Sequence, residues 1–513
     1  MSAKTLMVMG TASDVGKSIV VAGLCRAFAR TGLRVVPFKS QNMSNNAAVC
    51  EGGEIGRAQA VQAEASGLEP TVDMNPVLLK PESENGCQVI IRGRARFRMG
   101  INDHARYRAE AWPEILTSYR NLAEKFDLVI IEGAGSAAEI NLRHRDIVNW
   151  AVAEMADAPV LLVADIDKGG VFASLVGTFE LLSVSERRRL RGFLINKFRG
   201  TRALLDDGIR MLEERTGVPV VGVLPYVGNL RIPDEDSARL DGAPLSRTLR
   251  PVAVGVVRFP RISNYTDVAP LEHEPDVAVH FISDPDTASK LDLLILPGSK
   301  STIADLRWLR QSGWEDYIVN HLRGGGWLVG ICGGFQMLGL RILDPRKIES
   351  DAAESPGLGL LEVETFFEGE KITSLVEGVE LSSGLPVSGY EIHAGRVTNL
   401  GSQPLHRLIS RDGRAIGEVE GAVSSDGRII GTSVHGLFDN GGFRRHFIDA
   451  VRKAKGLGPL EAASVQDERL AREREYDRFA DIIETHADLA QIAAWARVAW
   501  NGANKRVGYS QRP

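Results

Sequence analysis

Short runs of Val, Ile and Leu recur through the first half of the chain, in TLMVMG, RVVPF, DLVIIEG, PVLLVAD, GFLINKF and VPVVGVLP, with longer amphipathic stretches such as IVVAGLCRAFARTG between them. Near-continuous apolar strands spaced by helices are what a parallel sheet covered on both faces requires. The pattern breaks near Arg231 into IPDEDSARLDGAPLSRTLRP, whose polar, proline-containing composition reads as a linker. A second series follows with VAVGVVRF, AVHFI, LDLLILPG and GGWLVGICGG, then β-rich segments such as GLGLLEVETFF and GRIIGTSVHGLF. From about Arg444 the chain turns helical and charged, a pattern of packing helices. The prediction is an α/β protein with two doubly wound domains, at 1–235 and 251–445, a linker at 236–250 and a helical extension at 446–513.

Length agrees, since hydrophobic cores stop growing at roughly 250–300 residues and this chain has 513. Charge narrows the function. A formal charge of -5, with no long basic run, offers no footprint for nucleic acid. The four cysteines, Cys25, Cys50, Cys87 and Cys332, form no CxxC pair, which argues against a zinc cage or disulfide scaffold and fits a reducing compartment. No signal-peptide pattern and no run near the ~20 apolar residues of a membrane span is present, so a cytoplasmic enzyme acting on small molecules is expected.

The stretch Gly10-Thr11-Ala12-Ser13-Asp14-Val15-Gly16-Lys17-Ser18 follows an apolar strand and precedes a helix. There, backbone N–H groups and a helix N-terminus cradle phosphate, Lys17 neutralises it and the Ser18 hydroxyl reaches Mg²⁺. Five residues separate the glycines where the common phosphate loop has four. Glu132 and Asp165 each close an apolar strand and should face the same crevice. Asp165 would serve equally well as a helix cap. In FKSQNMSNNAAVCEGGEIGRAQ, Lys39 ends a strand and is placed to neutralise a carboxylate or phosphoryl group, although a solvated lysine is the bland alternative. Gln41 and Asn42 could line a polar substrate pocket or serve as turn residues. Glu54 is a second candidate metal ligand.

Gly330-Ile331-Cys332-Gly333-Gly334 gives strand, sharp turn and helix, the cysteine version of a nucleophile elbow. A helix N-terminus favours the reactive thiolate. Such a thiolate needs a base, and among ten histidines His435 stands out in Ser433-Val-His-Gly-Leu-Phe438. His393, in GYEIHAG, is the rival, with a structural or substrate-loop role the weightier reading. Gly298 and Gly333 are placed to supply backbone N–H groups for an oxyanion hole.

These motifs carry resemblances. The loop GTASDVGKS resembles that of the dethiobiotin synthetase-like family, whose members activate carboxylates with ATP; the resemblance implies Glu132 as a metal-binding glutamate and Asn196, in Asn196-Lys197, as an adenine-reading position. LILPGS, GICGG and SVHG resemble a class I glutamine amidotransferase, in which Cys332 would form a thioester with glutamine and release ammonia. Most such domains carry His-x-Glu, but Leu437 stands at the glutamate position. That departure resembles the cobyric and cobyrinic acid amidotransferase branch and implies a Cys–His dyad or another orienting acid; Asp439 is near in sequence. Over nearly the whole chain the motif order, with FKSQNM and GSKSTIADL, resembles the cobyric acid synthase family.

What this implies is amidation of the b, d, e and g carboxylates of adenosylcobyrinic acid a,c-diamide, each consuming ATP and L-glutamine, through an acyl phosphate. ATP and Mg²⁺ are the expected cofactors, with glutamine and the corrinoid as partners and neither nucleic acid nor membrane. The alternatives are a cobyrinic acid a,c-diamide synthase, a CTP synthase-like ligase or, from another class, a regulatory phosphate-loop ATPase with a ligand-sensing domain.

Overall fold

The computed structural model describes residues 3–83, 86–100, 103–228, 230–232, 250–350, 352–460 and 468–502. The linker expected over 236–250 lies outside them except for Arg250. The chain divides into two compact units. One holds Met1–Ser44, Cys50–Asp236 and Arg472–Pro513; the other holds Asn45–Val49 and Ser237–Ala471.

The first unit is built on a six-stranded, fully parallel sheet, ordered Val220–Pro225, Leu190–Phe198, Val160–Asp165, Lys4–Gly10, Leu128–Glu132, Val35–Phe38. Alternate side chains feed two separate cores. Met7, Met9, Val129, Ile131 and Leu162 point to one face, and Leu6, Val8, Leu128, Ile130, Leu161 and Val163 to the other. Burial of both faces is why these strands read as unbroken apolar runs rather than alternations. A smaller sheet of Gln41–Met43, Val77–Ser83, Gly86–Ile91 and Arg94–Gly100 extends the unit.

The helices Glu468–His486 and Leu489–Ala496 bring apolar side chains back to this first unit. Phe479, Ile483, Leu489 and Ile492 pack into the same core as the helix Lys17–Ala29. Gly23 permits the approach, because a Cβ there would stand 2.5 Å from Ile483 Cδ1 and 2.6 Å from Phe479 Cδ1. Arg26 and Arg30 hold the partner helix through Asp477, at 2.8 Å from each.

The second unit has its own sheet, ordered Val277–Ile282, Val252–Val257, Leu293–Leu296, Trp327–Ile331, Ile429–Thr432, Ala422–Val423, parallel except for the last strand. A largely antiparallel sheet accounts for the β-rich region, its long strands Val363–Glu380 and Pro386–Asn399 pairing with each other and the latter with Val434–His435. The helix Gly441–Ala454 runs across the expected boundary at 445/446 and packs Phe443, Phe447, Ile448 and Val451 into this unit. Arg444, almost fully buried, donates to Glu274 Oε1 (2.6 Å) and to the Phe438 carbonyl (2.6 Å), fixing the turn that follows His435.

Candidate active sites of the two units

In the first unit the strand Lys4–Gly10 passes into the glycine loop, where Asp14 and Gly16 take the left-handed conformation, φ 60° and 91°. Gly16 meets that demand without steric cost. The loop is tied from below: Asn196 Nδ2 donates to the Val15 carbonyl (2.9 Å), and Lys197 Nζ donates to the Asp14 carbonyl (2.6 Å) and pairs with Asp165 (2.8 Å). Asn196 thus supports the loop backbone, and Asp165 engages Lys197. Lys17 Nζ donates to the carbonyls of Ala12 and Gly135, at 2.9 Å each, and so curls over the loop. Thr11 N donates to the Val163 carbonyl at 3.0 Å.

Glu132 is the hub of this site. Its Oε1 accepts from Ser18 Oγ (2.8 Å) and Lys39 Nζ (2.9 Å), and its Oε2 from Gln62 (2.5 Å) and Gln59 (3.3 Å). Complete burial works against its charge, but Lys39, Gln62 and Ser18 outweigh that penalty and hold the carboxyl below the usual range. Lys39 is a buried partner of this carboxylate, not a surface lysine. Asn42 donates to Gln59 Oε1 (2.9 Å) and so joins this polar cluster, whereas Gln41 accepts from the Tyr107 hydroxyl. Glu54 is buried in an ion pair with Lys80. Ser18 and Glu132 present hard oxygens side by side at the phosphate loop, a donor set that suits Mg²⁺ completed by phosphate oxygens.

In the second unit Cys332 ends the strand Trp327–Ile331 with φ 52° and ψ -106°, then starts the helix Gly333–Leu338. The neighbouring glycines are there for space. A Cβ at Gly334 would come within 1.9 Å of the Leu296 carbonyl oxygen, one at Gly330 within 2.8 Å of Gly334, and one at Gly333 within 2.8 Å of Ser299 N. That last contact brings Gly333 against the Gly298–Ser299 strand, and a Cβ on Gly298 would lie 3.4 Å from His435 Cε1. Both expected oxyanion-hole glycines therefore border the Cys332–His435 region.

His435 is oriented by a carboxylate and a stacked ring. Its Nδ1–H donates to Asp267 Oδ2 (2.6 Å), Gly436 N donates to Asp267 Oδ1 (3.0 Å), and the Tyr390 ring stacks on the imidazole at 5.1 Å. With Nδ1 so engaged, Nε2 is the nitrogen left for sulfur chemistry. The strand leading to it is pinned by Glu420, which accepts from Thr432 Oγ1 (2.7 Å) and Ser433 N (2.5 Å). Burial alone would lower the basicity of His435, but Asp267 and Cys332 overcome it and raise its pKa to about 10. Burial likewise opposes thiolate formation at Cys332, yet the imidazoles of His435 and His393 bring the thiol below its ordinary value. The arrangement sets a thiol of lowered pKa beside an imidazole backed by a carboxylate, with chemistry suited to nucleophilic attack on an amide and protonation of the departing nitrogen.

Asp267 was not a sequence candidate. It lies in the turn Tyr265–Val268, 168 residues before His435, and only the nearby Asp439 had suggested itself. The available signal was weak: the motif SNYTDV comes a short turn after the first strand of the second series and so falls at the same end of the sheet as the elbow.

Comparison with known proteins adds the remaining evidence. Residues 6–238 match the CobQ/CobB/MinD/ParA nucleotide binding domain, and residues 253–443 match the CobB/CobQ-like glutamine amidotransferase domain. The chain is 51% identical to a cobyric acid synthase of Sorangium cellulosum (strain So ce56), over 96% of this chain and 98% of that one. It is 47% identical to the enzyme of the same name from Dehalococcoides mccartyi (strain CBDB1), with the same coverage. Among solved structures, a crystal structure of a glutamine amidotransferase aligns with 40% of this chain and 99% of its own, at 18% identity and a TM-score of 0.30.

Proposed function

This chain belongs to the cobyric acid synthase family and carries out glutamine-dependent amidation in cobalamin biosynthesis; from that premise we propose how its residues divide the work. Cys332 attacks the side-chain amide of glutamine, and His435 gives the departing nitrogen its proton. Ammonia leaves, and water hydrolyses the thioester to glutamate. Asp267 holds His435 in the right tautomer. Backbone N–H groups near Gly298 and Gly333 stabilise the tetrahedral oxyanion.

The first unit makes the acceptor reactive. A free carboxylate is a poor electrophile, so it attacks the γ-phosphorus of ATP, displaces ADP and becomes an acyl phosphate. Ammonia then adds to the acyl carbon and expels phosphate, leaving the amide. The glycine loop from Gly10 to Ser18 holds the nucleotide phosphates. Lys17 and Lys39 offset the charge that develops on the transferred group. Ser18 and Glu132 would hold Mg²⁺, which supplies further neutralisation when bound. The acceptor in this reading is a cobyrinic acid a,c-diamide, amidated at its b, d, e and g carboxylates, and the setting is cytoplasmic.

The observation that carries the division of work is the buried Cys332–His435–Asp267 arrangement in one unit and the Ser18–Glu132–Lys39 cluster in the other. A substrate panel tests the acceptor. With ATP and glutamine supplied, mass spectrometry should follow the a,c-diamide corrinoid through four successive single-amide steps, with little product from cobyrinic acid itself or UTP. Turnover of UTP or of unamidated cobyrinic acid in preference to the a,c-diamide would contradict this assignment.

A further inference from the structure

The glutaminase site contains a second imidazole that the steps above do not use. His393 lies on the strand Pro386–Asn399, three residues beyond the Tyr390 that stacks on His435. The intervening Ile392 places its carbonyl oxygen 3.9 Å from Cys332 Sγ. Gly389 lets this strand press against the His435 strand, since a Cβ there would meet the His435 carbonyl at 2.2 Å. His393 is therefore beside the nucleophile through backbone geometry as well as through charge.

Its own contacts are unusual for a packing residue. Only 8% exposed, it donates Nδ1–H to the Gly395 carbonyl at 2.7 Å. Nε2 is buried and makes no hydrogen bond. Leaving a buried nitrogen unpaired is unfavourable, so a purely structural imidazole would be poorly served here. Glu391 explains the arrangement: its Oε1 stands 3.7 Å from that Nε2, and its Oε2 is fixed by Arg411 at 3.0 Å. Arg411 is shared in turn with Glu418, at 2.8 Å.

We propose that His393 is a positioning residue for the glutaminase: an imidazolium held between the Gly395 carbonyl and Glu391, whose positive charge keeps the Cys332 sulfur as thiolate before glutamine arrives. The proposal rests on the glutaminase reading of Cys332. No proton passes from the thiol to His393; that proton goes to His435, and His393 takes its own from solvent and keeps it. Burial opposes a charged His393, while Glu391 and the Cys332 thiolate favour it, with a net rise in its pKa. The charged or titratable groups around it are Cys332 at the helix start, His435 with Asp267 behind it, Tyr390 and Glu391 on its own strand, and Arg411 with Glu418 on the strands His406–Arg411 and Arg414–Glu420.

The test is the pH dependence of Cys332 alkylation by iodoacetamide in the full-length protein, read by mass spectrometry of the Cys332 peptide, together with kcat/KM for glutamine hydrolysis. In His393→Gln the acid limb of both profiles should move up by about one pH unit, a roughly tenfold loss at a fixed pH on that limb, with the high-pH plateau retained. Glu391→Gln should move it the same way and Glu391→Asp should restore it. An unmoved limb in folded His393→Gln, or a downward shift in Glu391→Gln, as deletion of an anion beside a neutral imidazole would give, overturns the proposal. If His393→Gln does not fold, the Glu391 pair decides. Failure of the underlying reading looks different: alkylation of wild-type Cys332 would then leave glutamine hydrolysis intact.

Discussion

His435 and Asp267 share a contact of 2.6 Å although 168 residues separate them. What the carboxylate does there follows from sign. Burial would leave His435 neutral at physiological pH, and the negative charges of Asp267 and Cys332 raise its pKa to about 10, so the imidazolium persists across the neutral range. Asp267→Asn removes one of those charges and puts a neutral amide where the carboxylate accepts from Nδ1. The basic limb of glutamine hydrolysis should then move to lower pH, and kcat should fall by roughly 10²-fold or more. Steady-state kinetics across pH check both, and an unchanged basic limb would show that Asp267 serves packing alone.

At the scale of elements, the strands and the two turns were legible because their physics is local. A sheet buried on both faces writes itself as apolar runs, and a loop that must accept phosphate or strain writes itself in glycine, as at Gly16 and at Gly330, Gly333 and Gly334. Side chains supplied by distant segments were not. Nothing local marks Asp267 as the partner of His435, Lys80 as the partner of Glu54, or Gln62 as a donor to Glu132. The helix of Phe479 and Ile483 reads as a packing helix, but its destination depends on the absent side chain of Gly23, near the opposite end of the sequence. Gly23→Leu should force that helix outward and cost about 1–3 kcal/mol. Denaturant unfolding with limited proteolysis checks it: lower stability and earlier cleavage near the C-terminus are expected, whereas unchanged stability would mean the packing relaxes freely.

Across the whole molecule, two units have separate sheets and cores, and the proposed function assigns each a half-reaction, one releasing nitrogen and one priming its acceptor. On that proposal each half depends on a residue of its own, Cys332 or Lys17, so the halves should fail independently. The most direct measurement is corrinoid amidation by Cys332→Ala and Lys17→Ala, each supplied with ATP and either glutamine or ammonium. Cys332→Ala should form no product from glutamine yet retain product from ammonium, and Lys17→Ala should form none from either. Glutamine-driven product from Cys332→Ala, or ammonium-driven product from Lys17→Ala at the wild-type rate, would contradict the account.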